Sequence, residues 1–348
     1  MNPMSKEKKI IHDLIKDVVQ TDLCVSCGTC VAVCPVGVIE LRNGVPELIG
    51  DCIECGLCYS NCPRTDFNID DMDNRVFNRE RSAKEEIVGI YSQVYKARSK
   101  VPEINERAQD GGVVSSILSS FLSEGGDGVI VAGLDETKTW VPKPVVGKNN
   151  EDIIDAAGTK YTSSPTLLGV KEAVKDQKLE NIAVVGTPCQ IRGLSKLTEG
   201  KFRNKKYSDA VKLKIGLFCM ETFRYDDWIR YLENNNVNPE KVTKFEIKNG
   251  RFYAKKDDEV IHKTRLKNVK KLVRPCCHHC DDFTCEYSDI SIGNVGSPDG
   301  WSTVIVRNEK GEKALKETEK ADLIELESFE DFDEGESLVH RLAKMKKK

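Results

Sequence analysis

The stretch Cys24-Val25-Ser26-Cys27-Gly28-Thr29-Cys30-Val31-Ala32-Val33-Cys34-Pro35 recurs as Cys52-Ile53-Glu54-Cys55-Gly56-Leu57-Cys58-Tyr59-Ser60-Asn61-Cys62-Pro63. Each copy is a C-x2-C-x2-C-x3-C-P run, the spacing of two-cluster bacterial ferredoxins. Three thiolates of each run wrap three corners of a [4Fe–4S] cube, and the fourth cysteine reaches across to the other cube. The spacing assigns Cys24, Cys27, Cys30 and Cys62 to one cluster, and Cys52, Cys55, Cys58 and Cys34 to the second. Zinc is the plainer alternative, but its sites take four ligands, usually as two separated pairs. Disulfides would need a secreted chain, and nothing else in the sequence has that character.

Working outward, residues 21–63 are too few for an ordinary apolar core, and two clusters would stand in for it. The expected unit is a small ferredoxin-like α+β module. Ahead of it, residues 1–20 space Ile10, Ile11, Leu14, Ile15, Val18 and Val19 as an amphipathic leading helix, not a secretory signal. Residues 64–88 are polar and read as a linker that lies along the next domain. Residues 309–348 are highly charged and read as a peripheral helical tail, with the Lys344 to Lys348 cluster solvated.

From about residue 89 the pattern changes. Gly111 and Gly112 precede Val113 to Leu122, which reads as a buried helix. Val129 to Ala132, Ile182 to Val185 and Leu213 to Cys219 are continuous apolar runs rich in β-branched residues. Such strands, alternating with helical segments, belong to a sheet covered on both faces. Residues 242–266 alternate instead and turn at Asn249-Gly250, as an antiparallel hairpin does. The expected fold is α+β, the small module followed by a larger mixed α/β domain over 89–308. A chain of 348 residues with a formal charge of −3 carries no global basic field, so nucleic acid is not an expected partner. No apolar run reaches the length of a membrane span. The expected place is the cytoplasm, or the cytoplasmic membrane face through partner subunits.

Six further cysteines remain: Cys189, Cys219, Cys276, Cys277, Cys280 and Cys285. Cys189 and Cys219 fall at predicted strand ends, where α/β sheets build their sites. With Cys277 and Cys280 they would supply four thiolates, enough for a third [4Fe–4S] cluster. Spacing alone leaves other readings open: buried small hydrophobes, a zinc site that includes His278 and His279, or a redox dithiol. Cys276 could replace Cys277, and Cys285 reads as a bystander.

Several segments together resemble the β-subunit family of coenzyme F420-reducing hydrogenases. They are Gln109-Asp110-Gly111-Gly112-Val113-Val114, Ala157-Gly158-Thr159-Lys160-Tyr161-x-x-Ser164-Pro165 and Val185-Gly186-Thr187-Pro188-Cys189-Gln190-Ile191-x-Gly193. Further along come Gly216-Leu217-Phe218-Cys219-Met220-Glu221, Cys277-x-x-Cys280-x-Asp282-Phe283 and Ser288-Asp289-Ile290-Ser291-Ile292-Gly293-x-x-Gly296. They run in order over roughly residues 90–310. The added two-cluster module is similar to that of the electron-input subunits of F420H2 dehydrogenases.

The resemblance implies FAD, coenzyme F420 as substrate, and a [4Fe–4S] cluster held by Cys189, Cys219, Cys277 and Cys280. It implies hydride transfer from reduced F420 to FAD, then single electrons leaving through the clusters. The partners it implies are subunits of a membrane-associated F420H2 dehydrogenase complex or a soluble ferredoxin. Rival readings are a subunit serving a formate dehydrogenase or a sulfite reductase, and a flavin-free ferredoxin adaptor.

Candidate cofactor contacts follow from residue type within those segments. Gly111 and Gly112 allow close backbone approach ahead of a helix N-terminus. Lys160, Tyr161, Ser163 and Ser164 offer a cation and hydroxyls. Gly186 and Thr187 adjoin Cys189, and Gly293, Asn294 and Gly296 form a flexible loop. A plain helix-start or packing turn competes at both glycine-rich stretches. Arg192, Arg265 and Arg274 are candidates for the acidic F420 tail, and the sequence does not choose among them.

Overall fold

A computed structural model describes residues 8–329 and 333–347. The described residues form thirteen strands: β1 (Ile39–Arg42), β2 (Val45–Leu48), β3 (Gln93–Ser99), β4 (Gly128–Leu134), β5 (Pro142–Gly147), β6 (Ile182–Gly186), β7 (Val211–Leu217), β8 (Lys244–Lys248), β9 (Arg251–Lys256), β10 (Glu259–Arg265), β11 (Ile290–Gly293), β12 (Ser302–Val306) and β13 (Ile324–Ser328). Eight of them make one sheet in the order β13-β3-β12-β11-β7-β6-β4-β5. Its centre, β4-β6-β7-β11, is parallel, and antiparallel strands close both flanks.

The continuous apolar runs are explained by burial on two faces. Ile182 and Val184 of β6 enter one core with Leu167, Val170, Leu194 and Leu197, from the helical stretches 166–176 and 188–198. Ala183 and Val185, one residue out of phase, enter a second core under the helices Val113–Ser123 and Glu309–Lys320. The expected hairpin is present, with Asn249 and Gly250 both at positive φ. It gains a third strand, β10, and this small sheet builds its own aromatic core from Trp228, Phe245 and Phe252.

The cysteine-rich module and the larger domain are not separate cores. Val31, Ala32, Cys27, Cys30 and Cys62 share one apolar cluster with Leu167, Ile191 and Leu194. Gly193 allows this contact, since a Cβ there would collide with the Thr29 hydroxyl. The leading segment is a turn of α-helix, Ile11–Leu14, running into a π-helical stretch, Ile15–Val19, with Ile11, Leu14 and Val18 buried. Residues 1–7 of the expected leading helix lie outside the described residues.

Residues 64–88 hold a helix, Ile69–Phe77, capped by the Asn68 side chain. It is tied down by Arg81, which bridges Asp73 at 2.6 Å and Glu286 at 2.5 Å. The stretch 309–348 is not helical throughout. β13 pairs with β3 as the sheet edge between the helices Glu309–Lys320 and Asp333–Lys346. Nor is its lysine cluster simply solvated: Lys346 donates to the carbonyls of Met220 and Cys277, and Lys347 pairs with Glu286 at 2.8 Å. No described helix is long and apolar enough to cross a membrane.

Candidate functional site

The thiols fall into three sets. Cys30 lies within electrostatic reach of Cys27, Cys62 and Cys24, and Cys58 within reach of Cys55, Cys52 and Cys34. The crossing of Cys34 and Cys62 between the repeats follows from the short helices Thr29–Val33 and Leu57–Ser60. Each starts at a glycine held at positive φ, Gly28 and Gly56, and sends its last cysteine toward the other repeat. Cys24, Cys27, Cys30 and Cys62 line a small pocket whose other walls include Leu14 and Val18. All fourteen cysteines are free thiols. Among the described residues no His, Cys, Asp or Glu side chains draw together as tightly as one bare ion requires.

The third set comes from the large sheet. Adjacent parallel strands β6 and β7 end side by side, delivering Cys189 and Cys219. Thr187 caps the helix Pro188–Thr198 that carries Cys189, in a reciprocal box with Gln190. Cys219 faces Cys189, Cys277 and Cys280. Cys276 is turned into the core, and Cys277 instead receives the Thr222 N–H at 3.4 Å. Cys285 fills the notch that Gly216 leaves beside β7.

These sets suit [4Fe–4S] groups by their donor chemistry. Burial pushes the Cys27 and Cys58 thiols up to about 12, and crowding by neighbouring cysteines adds to it. Ionising such thiols in an apolar wall is costly unless a strong positive charge sits among them, which bound iron supplies. Backbone N–H groups already point at sulfur: Glu54 to Cys52 at 3.3 Å and Arg64 to Cys62 at 3.4 Å.

The sets form a row. Cys24 and Cys27 both feel Cys189, and Cys30 feels Cys58. The row runs from the strand ends of the large sheet, through the buried first set, to the second set, where Cys52 and Cys55 are half-buried. Basic side chains from the large domain hold the module in line. Lys196 donates to the Cys62 carbonyl at 2.7 Å, and Lys175 to the Ala32 carbonyl at 2.8 Å.

The expected cofactor contacts are more scattered. Gly111 is pressed between β3 and β12, where a Cβ would lie 2.7 Å from Ser302 N and 2.8 Å from Ala97 O. Gly112, at φ +68°, starts the helix Val113–Ser123. Both are required by packing. The Lys160 ammonium is held by the carbonyls of Ala156, Ala157 and Gly158 behind the helix Asn150–Asp155, and burial lowers it to about 8. Tyr161 accepts the Ile247 N–H at 3.0 Å and stacks near Phe223. Ser163 donates to the Val25 carbonyl of the module at 3.1 Å. The buried Ser164 hydroxyl has no partner among the described residues, while its carbonyl accepts from Gln190. Lys160, Tyr161 and Ser163 thus meet three different neighbours.

Gly186 ends β6 against Ile191, and the Thr187 hydroxyl lies 3.5 Å from the Cys189 sulfur. The Phe218 ring occupies the space a Cβ on Gly293 would need, and Gly296 sits at φ +96°. Asn294 hydrogen-bonds Asp110, a carboxyl that residue type alone did not single out. Burial raises Asp110 to about 6, against the pull of Lys244, so it exchanges a proton near neutral pH. Its signal was the acid just ahead of the glycine pair. Arg192 is buried against Asp281 at 2.5 Å, Arg274 is spent on the module, and Arg265 is exposed at the end of β10. The clamps Lys175 and Lys196 had no sequence signal, because their partners are carbonyls far along the chain.

Comparison with known proteins agrees with this layout. Residues 23–67 match the 4Fe-4S dicluster domain. Residues 94–171 and 179–332 match the N-terminal and C-terminal domains of the coenzyme F420 hydrogenase/dehydrogenase beta subunit. The chain is 33% identical to a subunit of the F(420)H(2) dehydrogenase of Methanosarcina mazei over 351 residues, covering 96% of this chain and 92% of that one. It is 37% identical to coenzyme F420 hydrogenase subunit beta of Methanothermobacter thermautotrophicus, over 75% of this chain and 93% of that one. A chain in the F420-reducing [NiFe] hydrogenase complex of Methanosarcina barkeri superposes with a TM-score of 0.72 at 36% identity, over 75% of this chain and 90% of that one. An N-terminal dicluster module, a larger mixed α/β domain and these matches together place the chain in the coenzyme F420 hydrogenase/dehydrogenase beta-subunit family.

Proposed function

We propose that this chain is the electron-input subunit of an F420H2:acceptor oxidoreductase. Reduced coenzyme F420, an 8-hydroxy-5-deazaflavin, gives up a hydride, two electrons together, because carbon replaces the ring nitrogen that would stabilise a radical. FAD, when bound, accepts the pair and releases electrons singly, and [4Fe–4S] clusters carry single electrons. Cys189, Cys219, Cys277 and Cys280 would hold the cluster on the input side. Cys24, Cys27, Cys30 and Cys62 would hold the next, and Cys34, Cys52, Cys55 and Cys58 the exit. Subunits of a membrane-associated F420H2 dehydrogenase complex, or a soluble ferredoxin, would receive the electrons.

The observation that carries this reading is the row itself: three thiol sets in contact order, the middle one buried in a core shared by module and domain. The half-buried outer cysteines give that row an open end. The chain's own residues keep water from the middle set and hold the two halves in register through Lys175 and Lys196.

The test is anaerobic. Purified, FAD-supplemented protein is mixed with reduced F420 and a one-electron dye, and deazaflavin oxidation is followed together with dye reduction. Coupled change of both is expected. Neither changing, with flavin and iron demonstrably present, would remove the F420 assignment. Because the hydrogenase β chain is also similar, the reverse arm, reduced dye with oxidised F420, sets the direction.

A further inference from the structure

Two arginines cross between the first and third thiol sets in opposite directions. Arg64 follows Cys62 and Pro63 in the module, and its backbone N–H donates to the Cys62 sulfur. Its guanidinium leaves the module and grips the turn that carries Cys277 and Cys280. Nη1 donates to the His279 carbonyl and Nη2 to the Cys276 carbonyl, both at 2.8 Å. Arg274 precedes that same turn in the large domain and reaches the other way. Nη1 donates to the Val25 carbonyl at 3.2 Å, and Nη2 to the Cys24 carbonyl at 3.0 Å and the Ser26 hydroxyl at 2.7 Å. Each loop that bears cluster ligands therefore sends a cation onto the other.

The charges matter as well as the bonds. The Arg64 guanidinium ends on the Cys276 and His279 carbonyls beside the third set, and the Arg274 guanidinium on the Cys24 carbonyl and Ser26 hydroxyl beside the first. The Arg64 Nε–H is buried and has no acceptor among the described residues. It is a donor still unspent beside the two sets. A planar guanidinium stays charged and holds two acceptors at once, which a lysine does not. Net charge and hydrogen bonding near a cluster set its potential.

We propose that Arg64 and Arg274 are positioning residues that bridge the two cluster sites. They fix the separation of the loops and stabilise the electron on both sides of one jump. The step is a single electron leaving the cluster at Cys189, Cys219, Cys277 and Cys280 and arriving at that of Cys24, Cys27, Cys30 and Cys62, with no bond made and no proton moved. Because each cation spans from one ligand-bearing loop to the backbone of the other, the bridge lifts both potentials together and keeps the jump level. The inference rests on the relay described above.

The experiment is an EPR-monitored redox titration of the full-length, anaerobically prepared holoprotein, wild type against Arg64→Gln and Arg274→Gln. In each variant two of three cluster midpoints are expected to fall, each costing about tenfold in the reduced-to-oxidised ratio, 59 mV for one electron. The cluster of Cys34, Cys52, Cys55 and Cys58 stays nearer its wild-type value. Unchanged midpoints in variants that keep their iron would overturn the proposal and leave the arginines as mere fasteners. If a Gln variant sheds iron, Arg64→Lys and Arg274→Lys decide. Wild-type midpoints with weakened magnetic coupling between the first and third clusters support the bridge, and wild-type values of both reject it. Wild-type protein without EPR-active clusters would instead sink the relay itself.

Discussion

The row of thiols and the seam beneath the small sheet are built in opposite ways. In the row, sulfur atoms gather in apolar walls, and backbone N–H groups from Glu54, Arg64 and Thr222 point toward them. The strong positive charge that buried thiolates need among them is left to bound iron. In the seam, where β8 meets residues 108–112 and 158–163, the polar groups are largely spent on protein. Lys160 is held by three carbonyls, Tyr161 by Ile247, and Gln109 by Phe245 and Thr159. Asp110 is the exception, buried enough to hold its proton to about 6. A metal group is gripped by what a site leaves unpaired, whereas a seam this well satisfied works by shape, with one group kept for a proton.

The harshest way to break this contrast is Cys30→Ala. The first set sits in the shared core, so its loss should cost about four irons and also loosen the module from the helix Pro188–Thr198. Iron analysis with thermal unfolding checks it. Cys55→Ala, at the half-buried outer set, should lose a similar amount of iron with a smaller fall in melting temperature. Equal falls would show that the buried and outer repeats do not differ as described.

Lys160 offers a pH test. Its folded value of about 8 lies below the 10.5 of an unfolded lysine, so the unfolded chain binds more protons between those limits. Stability should rise with pH across that window, by at most about 3 kcal/mol, since the three carbonyls oppose the burial. Lys160→Met should flatten the rise in denaturant titrations. A raised KM for reduced F420 with the pH curve unchanged would make Lys160 a substrate contact and overturn the contrast.

Asp110 runs the other way. Its folded value of about 6 lies above the 3.8 of an unfolded aspartate, so its contribution is full below that lower limit and is lost as pH rises through 6. The loss is at most about 3 kcal/mol, less because solvent partly screens the carboxyl. Asp110→Asn should remove it, and a matching shift in the pH profile of F420H2 oxidation would tie the carboxyl to catalysis. The smallest effect belongs to Tyr161→Phe, which deletes the acceptor for Ile247 and should cost about 1 kcal/mol, read by chemical denaturation.

What the sequence disclosed follows the range of each interaction. Each repeat writes its four cysteines within a dozen residues, so spacing alone groups them. The sheet core was legible because β6 and β7 are apolar on both faces. Cys189 and Cys219 announced themselves only as strand ends, and their meeting with Cys277 and Cys280 needed the resemblance. Nothing local foretold that Arg64 would reach His279 or that Arg274 would reach Cys24, because those bonds join residues more than two hundred positions apart. β13 was missed for a related reason. Its sequence, Ile-Glu-Leu-Glu-Ser, is charged because it is an edge strand, and among charged helical neighbours it reads as more helix.

The shared core also sets a calendar for assembly. Cys27, Cys30 and Cys62 are sealed between the module and the helix Pro188–Thr198. A cluster held there would have to be built while that face is still open, before the helix packs over Thr29, whereas one at the half-buried outer cysteines would stay within reach of the surface.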